Sequence, residues 1–345
     1  MAYNATYAPA ARLTAAARTA YNNYVKLTPT DYLFPTAMQQ TLDFEFDRVT
    51  DSVADLAEFR GFDSTVGYGQ TGQKAKLTGK IPPLGRNYRV TEWEQLQTQI
   101  DRNEALSDKL LDLANEAGLA IARRLEMARL EALLTGKVTL MDNDDRVHGS
   151  IDFLRHPDLS ATLATADKWS AADSTPITDV ENWIETVRRI GQTAPTVLFM
   201  SKDVMAALRT NEQVRAFAYR GAASTPASVS LEDVRSVFYA ETGISVVRDI
   251  TTDYALIPNH GLGADPWPAG TVALVTNGMG AFGKTAFAPT AKSLDSKYGL
   301  SRNERPGIFA AAYDEDNIAG LFLMGDATAT PIMPGVNQTF TAKVL

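Results

Sequence analysis

An α+β fold is predicted for this 345-residue chain, and three observations predict it. One amphipathic stretch, Asp101 to Thr135, is far longer than an average helix. A ribbon rich in glycine and lysine runs directly into it. Beyond about residue 176, short helices and short apolar strands follow one another with no internal repeat.

The totals set limits on function. Hydrophobic residues make up 45% and charged residues 21%, as expected of an ordinary soluble globular protein of about two domains. Cysteine is absent, which excludes disulfides and thiolate metal centres and suits a reducing compartment. The formal charge of −8 disfavours tight general DNA binding. No apolar run reaches membrane-spanning length, and MAYNATYAPAARL lacks the continuous apolar stretch of a signal peptide.

The first 30 residues are rich in Ala, Thr and Tyr with weak periodicity and read as an arm, not a core element. They hold Arg12, Arg18 and Lys26 and no acid, which makes them candidates to meet DNA or a scaffold. The ribbon, Gly61 to Val90, contains six glycines, two prolines, one acid (Asp63) and five bases: Lys74, Lys76, Lys80, Arg86 and Arg89. Such a composition cannot build its own core and reads as an extended loop. In the long helix that follows, Leu106, Leu110, Leu113, Ala117, Ile121, Leu125 and Ala128 recur at three- and four-residue steps. Gly136 is placed to end it in a left-handed cap. A basic ribbon with nothing of its own to lie on needs another surface, and an identical neighbour is the simplest supplier. The five basic residues are therefore the expected inter-subunit contacts.

KVTLMDNDDRVHGSIDFL reads as a hairpin turning at DNDD. Ala161–Asp173 reads as loop. The next stretch, TPITDVENWIETVRRIG, reads as a helix with Pro176 near its start, a capping box Thr178…Glu181 and Gly191 as its stop. TVLFM, ISVVRDI and TVALVTN read as strands, and SKDVMAALRT, NEQVRAFAY and SLEDVRSVFYAETG as short helices, the last capped by Ser230. Short apolar runs, GIFAAAY, AGLFLM and QTFTAKVL, follow Pro306.

GMGAFGKT, Gly278–Thr285, matches the phosphate-loop pattern completely and raises the alternative of a nucleotide hydrolase using Lys284 and Thr285. Its context argues against this. Pro289 falls inside the helix that should open at the lysine, and only 60 residues follow Thr285. Asn277-Gly278 favours a tight turn, so TVALVT and AFGKTAFA are expected to pair as a hairpin with Lys284 on a solvated edge. His148 and His156, with Asp142, Asp144, Asp145, Asp152 and Asp158, suggest a metal site. However, Val147 and Phe153 stand where a calcium loop needs Gly and Glu. No metal, cofactor or catalytic residue is expected.

The stretches KIPPLGRNYRV, ARLEALLTGKV and WSAADSTPITDVENWIETVRRIGQTAPTVLFMSKDVMAAL, with the C-terminal PGIFAAAYDEDN…ATATPIMPGVNQTFTAKVL, carry a resemblance. In order and texture the chain resembles tailed-bacteriophage major capsid proteins, specifically the lambda-type major capsid protein E family with its HK97-type fold. The resemblance implies an N-terminal arm at 1–50 and an extended loop, the E-loop, at 55–92. A peripheral domain would occupy 93–150, with a spine helix at about 103–135. A mixed α/β axial domain at 151–300 and a return to the peripheral domain at 301–345 would complete it. It implies a non-enzymatic head protein that assembles in the host bacterial cytoplasm, as pentamers and hexamers of identical subunits. The product would be the icosahedral shell of a virion enclosing double-stranded DNA without sequence recognition. A separate scaffolding protein and a portal are implied partners, a decoration protein is left open, and no membrane is involved. A nanocompartment shell shares the fold; cargo enzymes in place of DNA would mark it.

Overall fold

The computed structural model describes residues 2–51, 73–101, 103–141, 146–171, 173–221, 224, 226–258, 260–263, 266–276, 282–314 and 320–345. In chain order these form β1 (Ala2–Tyr3), α1 (Ala10–Val25), β2 (Thr36–Met38), β3 (Asp43–Asp51), β4 (Gln73–Lys80), β5 (Pro83–Thr91), α2 (Glu92–Asp101) and α3 (Asn103–Thr135). Next come β6 (Lys137–Met141), β7 (Val147–Asp152), β8 (Ser160–Thr162), α4 (Pro176–Gly191), β9 (Val197–Met200), α5 (Lys202–Thr210), α6 (Glu212–Ala218) and α7 (Leu231–Thr242). The remainder is β10 (Val246–Asp249), α8 (Ile250–Ala255), β11 (Thr271–Val275), β12 (Lys284–Ala288), β13 (Phe309–Asp314), β14 (Gly320–Ile332) and β15 (Thr339–Lys343).

The leucines and alanines at helical spacing wind α3 into 33 residues, roughly 50 Å long. Leu106, Leu110, Ala114, Ala117, Ile121, Leu125 and Leu133 are all buried, each leucine contributing about 1.5–3 kcal/mol. Gly136, at φ 73°, ends the helix in the left-handed region. Small residues let two other elements close on α3. A Cβ on Gly118 would overlap the Ala17 carbonyl of α1, and one on Gly325 of β14 would stand 2.5 Å from the Ala117 methyl. The spine is thus clamped between α1 and the sheet.

That contact corrects the expectation for the N-terminus. The first 30 residues are not a free arm: Leu13, Ala17, Tyr21 and Tyr24 of α1 are buried in the main core. β1 pairs with β13, and Asn4 donates to both oxygens of Asp314. Alanines dilute the apolar signal of α1, but they are what permits its close approach to α3. Arg18 turns inward onto the Ile308 and Pro306 carbonyls, so it is not available to DNA; Arg12 and Lys26 are exposed.

One sheet runs β1-β13-β14-β12-β2, with β5 also paired to β14. β14 is its hub. It pairs antiparallel with β13 over Leu321–Asp326, with β12 over Thr328–Ile332 and with β5 over Gly320–Thr328. A second, mixed sheet runs β10-β9-β11-β15-β8. Its core includes a stack of Trp169, Trp183 and Phe340, with centroids 5.7 and 5.0 Å apart, and Trp169 Nε1 donates to Asp179 at 2.9 Å. The pair β6–β7 is the predicted hairpin, although its DNDD turn lies outside the described residues.

Several expected boundaries shift. β12 lies in the first sheet, not with the elements of 151–300, and the last strand, β15, lies in the second sheet, not with β13 and β14. A hydrogen-bonding edge of β11 was the reason: β15 fills it in full register from Thr271↔Lys343 to Val275↔Thr339. In consequence β11 and β12 are both strands but do not pair, which overturns the hairpin expected at NGMG. Four of its turn residues, 277–280, fall outside the described residues. At α4 the N-cap is Thr175 and no Thr178…Glu181 box forms. Gln192, not Gly191, takes the left-handed position; Gly191 is small because a Cβ there would overlap the Asn337 carbonyl. Ser230 does cap α7, through a reciprocal box with Asp233.

Candidate functional site

β3 and β4 form a two-stranded ribbon paired to nothing else in the described chain. It leaves the body earlier than expected, at Asp43, and its far end, residues 52–72, lies outside the described residues. Register places Asp43 opposite Lys80, Phe44 opposite Gly79, Phe46 opposite Leu77, Asp47 opposite Lys76 and Val49 opposite Lys74. Because side chains alternate, one face carries Asp43, Glu45, Lys76 and Lys80, and the other carries Phe44, Phe46 and Leu77. Lys76 reaches Glu45 Oε1 at 2.5 Å. The pair is more than half exposed, so its contribution to stability is only about 0–1 kcal/mol. It does neutralise charge, however, and the ribbon is therefore not a bare cationic flap. Phe44 is buried at the base, packed against Phe46 at 6.3 Å, and Gly79 is small because a Cβ there would overlap the Phe44 ring.

Arg86 and Arg89 stand elsewhere. They lie on β5, bonded to β14 along a nine-residue register, so the expected loop ends near Lys80 and not at 92. Both are exposed, and the Arg89 guanidinium sits 5.7 Å from the Phe322 ring centroid. The five predicted contact residues thus divide between ribbon and body. Proline misled here: Pro82-Pro83 looked like loop, but the strand begins immediately at Pro83, where the missing N–H costs least.

Lys284 and Thr285 open a strand, not a helix, and β12 pairs with both β2 and β14. The residues from Lys284 onward are thus not the helix that the phosphate-loop alternative requires, and residues 278–281 of the match lie outside the described residues. Thr285 serves a different purpose. It is fully buried and accepts from Arg129 Nε at 2.9 Å, while Arg129 donates to Glu126 at 3.0 Å and to the Tyr21 hydroxyl at 3.2 Å. Glu126 accepts from Thr30 at 2.6 Å and from the Tyr254 hydroxyl. Burial, together with the Glu126 carboxylate, holds the Tyr254 phenol well above its ordinary pKa. Glu126 and Arg129 are both 0% exposed. This ion pair was not foreseen. The available signal was a Glu and an Arg three residues apart inside an apolar stripe, a pattern easily read as a solvated face.

Arg155 holds the other end of α3. Its guanidinium donates to the carbonyls of Leu133 and, at 2.8 Å, Leu134, and to Thr341 of β15 at 3.0 Å. A cation on the last carbonyls suits the helix dipole and joins the spine to the second sheet. Burial lowers its pKa to about 10, which leaves it charged at neutral pH. Arg155→Ala is expected to cost about 2–3 kcal/mol, with Arg155→Lys restoring only part, as read by urea unfolding of the dissociated subunit. A loss under about 0.5 kcal/mol would contradict the cap.

No group of three or more metal-binding side chains occurs among the described residues. His156 accepts from Asp158 N at 3.3 Å and His260 from Leu262 N at 3.2 Å, both as local caps. No helix among the described residues is long and apolar enough to cross a membrane.

A family model described as phage major capsid protein E matches residues 10–344. Among solved structures, the putative capsid protein of a prophage of E. coli CFT073 is similar at 14% identity and TM-score 0.58, covering 98% of this chain and 99% of the other. The capsid of an empty GTA particle is similar at 11% identity and TM-score 0.52, covering 92% and 89%. The mature capsid of bacteriophage PhiM1 gives 11% identity and TM-score 0.51, covering 92% and 86%. No curated protein sequence matches the chain.

Proposed function

Since this chain belongs to the phage major capsid protein E family, a shell-forming protein of HK97-type fold, we propose how its subunits meet in that shell. The ribbon β3–β4 lies on a neighbouring subunit. One observation carries this reading: two strands that pair only with each other, near the limit of what is stable in water. Phe46 and Leu77 are half-buried against the subunit's own core, so only their outer surface is left for that contact. Lys74, Lys76 and Lys80 supply polar contacts along the ribbon, and Arg86 and Arg89 meet the neighbour from the body.

The second sheet, with β8 to β11 from within 151–300 and β15 from the C-terminal segment, gathers at five- and six-fold axes with its helices, and the α3 region forms the peripheral wall. Pentamers and hexamers of this kind close an icosahedral shell around double-stranded DNA that is held without sequence recognition. The net charge of −8 supports a wall on which packed DNA stays mobile. A separate scaffolding protein and a portal complete the assembly, which takes place in the host cytoplasm. The role is structural, with no catalytic group.

The test removes residues 47–76 and joins Phe46 to Leu77 through Asn-Gly, a turn that suits antiparallel strands. The shortened subunit is expected to stay soluble, keep its circular dichroism and unfold cooperatively, yet form no particles in electron micrographs where the full-length protein does. Normal shells from the shortened chain would contradict the proposal.

A further inference from the structure

Helix α2 packs one side on the body and turns another to water. Trp93 is 67% exposed and Leu96 is 53% exposed. The other three tryptophans, Trp169, Trp183 and Trp267, are all buried. Trp93 and Leu96 are three residues apart and Glu92 lies four before Leu96, so the three share one helix surface. Glu92 is also exposed. An indole and a leucine side by side in water, beside a carboxylate, have the composition of an interface anchor.

A groove of matching character lies along the later half of α3, between it, the start of β5 and the β6–β7 hairpin. Its apolar reach, about 370 Å³, is lined by Leu84, Leu125, Val138, Leu140 and Met141. That reach shares Leu84 and Met141 with a second one of about 530 Å³, which holds Arg86, Arg123, Arg124 and the exposed Met127. No acid is among the described lining residues of either reach, although Glu116 lies 4.0 Å from Arg123. The described lining is therefore apolar with Arg86 and Arg124 at its rim, and the α2 surface is apolar with an acidic edge.

We propose that Trp93 and Leu96 of one subunit dock into this groove on a second copy, with Glu92 against the arginine rim. A subunit cannot satisfy itself. Arg86 lies in its groove and Glu92 lies six residues further along the chain, roughly 20 Å away at the rise of a strand. Anchor and groove are different surfaces, so the contact is heterologous and propagates from copy to copy until a rotation closes it. This is the geometry a closed shell requires, and the inference rests on the shell-forming reading.

The experiment compares dissociated subunits with assembled particles of the full chain. In subunits, acrylamide quenches a tryptophan component that Trp93→Phe removes. In particles, the quenching constant of that component is expected to fall severalfold. The chain has no cysteine, so a Leu96→Cys/Met141→Cys variant reports proximity without background. On oxidation, its particles are expected to give covalent multimers on non-reducing gels, and each single variant none. Equal quenching in subunits and particles overturns the docking. Protection of Trp93 without multimers also overturns it, since another surface then covers the indole. Particles absent from wild-type micrographs would instead overturn the shell-forming reading, and a monomer with Trp93 still quenched would take the docking with it.

Discussion

Arg129→Met is expected to destabilise the subunit by about 3–5 kcal/mol, because it leaves the Glu126 carboxylate buried without its counter-ion. Arg129 bonds Glu126, Tyr21 and Thr285 at once and is 0% exposed, so neither water nor another cation can replace it without opening the core. Glu126→Ala is expected to cost a similar amount for the mirror reason. The Glu126→Leu/Arg129→Met double variant separates lost attraction from stranded charge. With both charges gone, its stability is expected within about 2 kcal/mol of wild type, in either direction. The measurement is urea unfolding of dissociated subunits, with the denaturant slope unchanged. If each single variant lost less than about 1 kcal/mol, or the double lost as much as the sum of the singles, the buried pair would not be the keystone described here.

Gly118→Val is expected to cost about 3 kcal/mol or more, and Gly118→Ala about 1–3 kcal/mol, through overpacking. The sign is informative for alanine. On an exposed helix, glycine to alanine gains nearly 1 kcal/mol from propensity alone. At Gly118 the added methyl overlaps the Ala17 carbonyl, and backbone cannot step aside as a side-chain tip can. Gly149→Ala is the control, because nothing lies within 4 Å of its would-be Cβ; it is expected within about 0.5 kcal/mol of wild type. Stabilisation by Gly118→Ala would mean that α1 and α3 do not touch as described.

The same contact explains where the sequence could be read and where it could not. Leucines at helical spacing announce α3, and Gly136 marks its end, because both depend on neighbours a few residues away. Helix α1 escaped notice since its buried face is largely alanine and tyrosine, and its value lies in a backbone approach to Gly118 a hundred residues on. Strands β11 and β12 were visible as apolar runs, but their partners were not. The edges they chose belong to β15 and β14, which no local pattern names. Of the proposed contact surface, the second ribbon strand, β4, falls within the stretch marked by glycines and lysines, whereas β3 lies outside it. The acids on β3 were not linked to those lysines, because the pairing register that brings Glu45 to Lys76 is set across the segment between them. Trp93 was missed as an anchor, since exposure cannot be read from residue type.

The hub role of β14 bears on when a newly made molecule becomes competent. β5, β12 and β13 all complete their ladders on residues 320–332, and α3 packs against the same strand at Gly325. At about 5–20 residues per second, a ribosome needs roughly 17–66 s to reach residue 332. Until then the earlier strands have no template. A polypeptide cut short before Gly320 lacks the strand on which β5, β12 and β13 pair, and is expected to leave those three edges open.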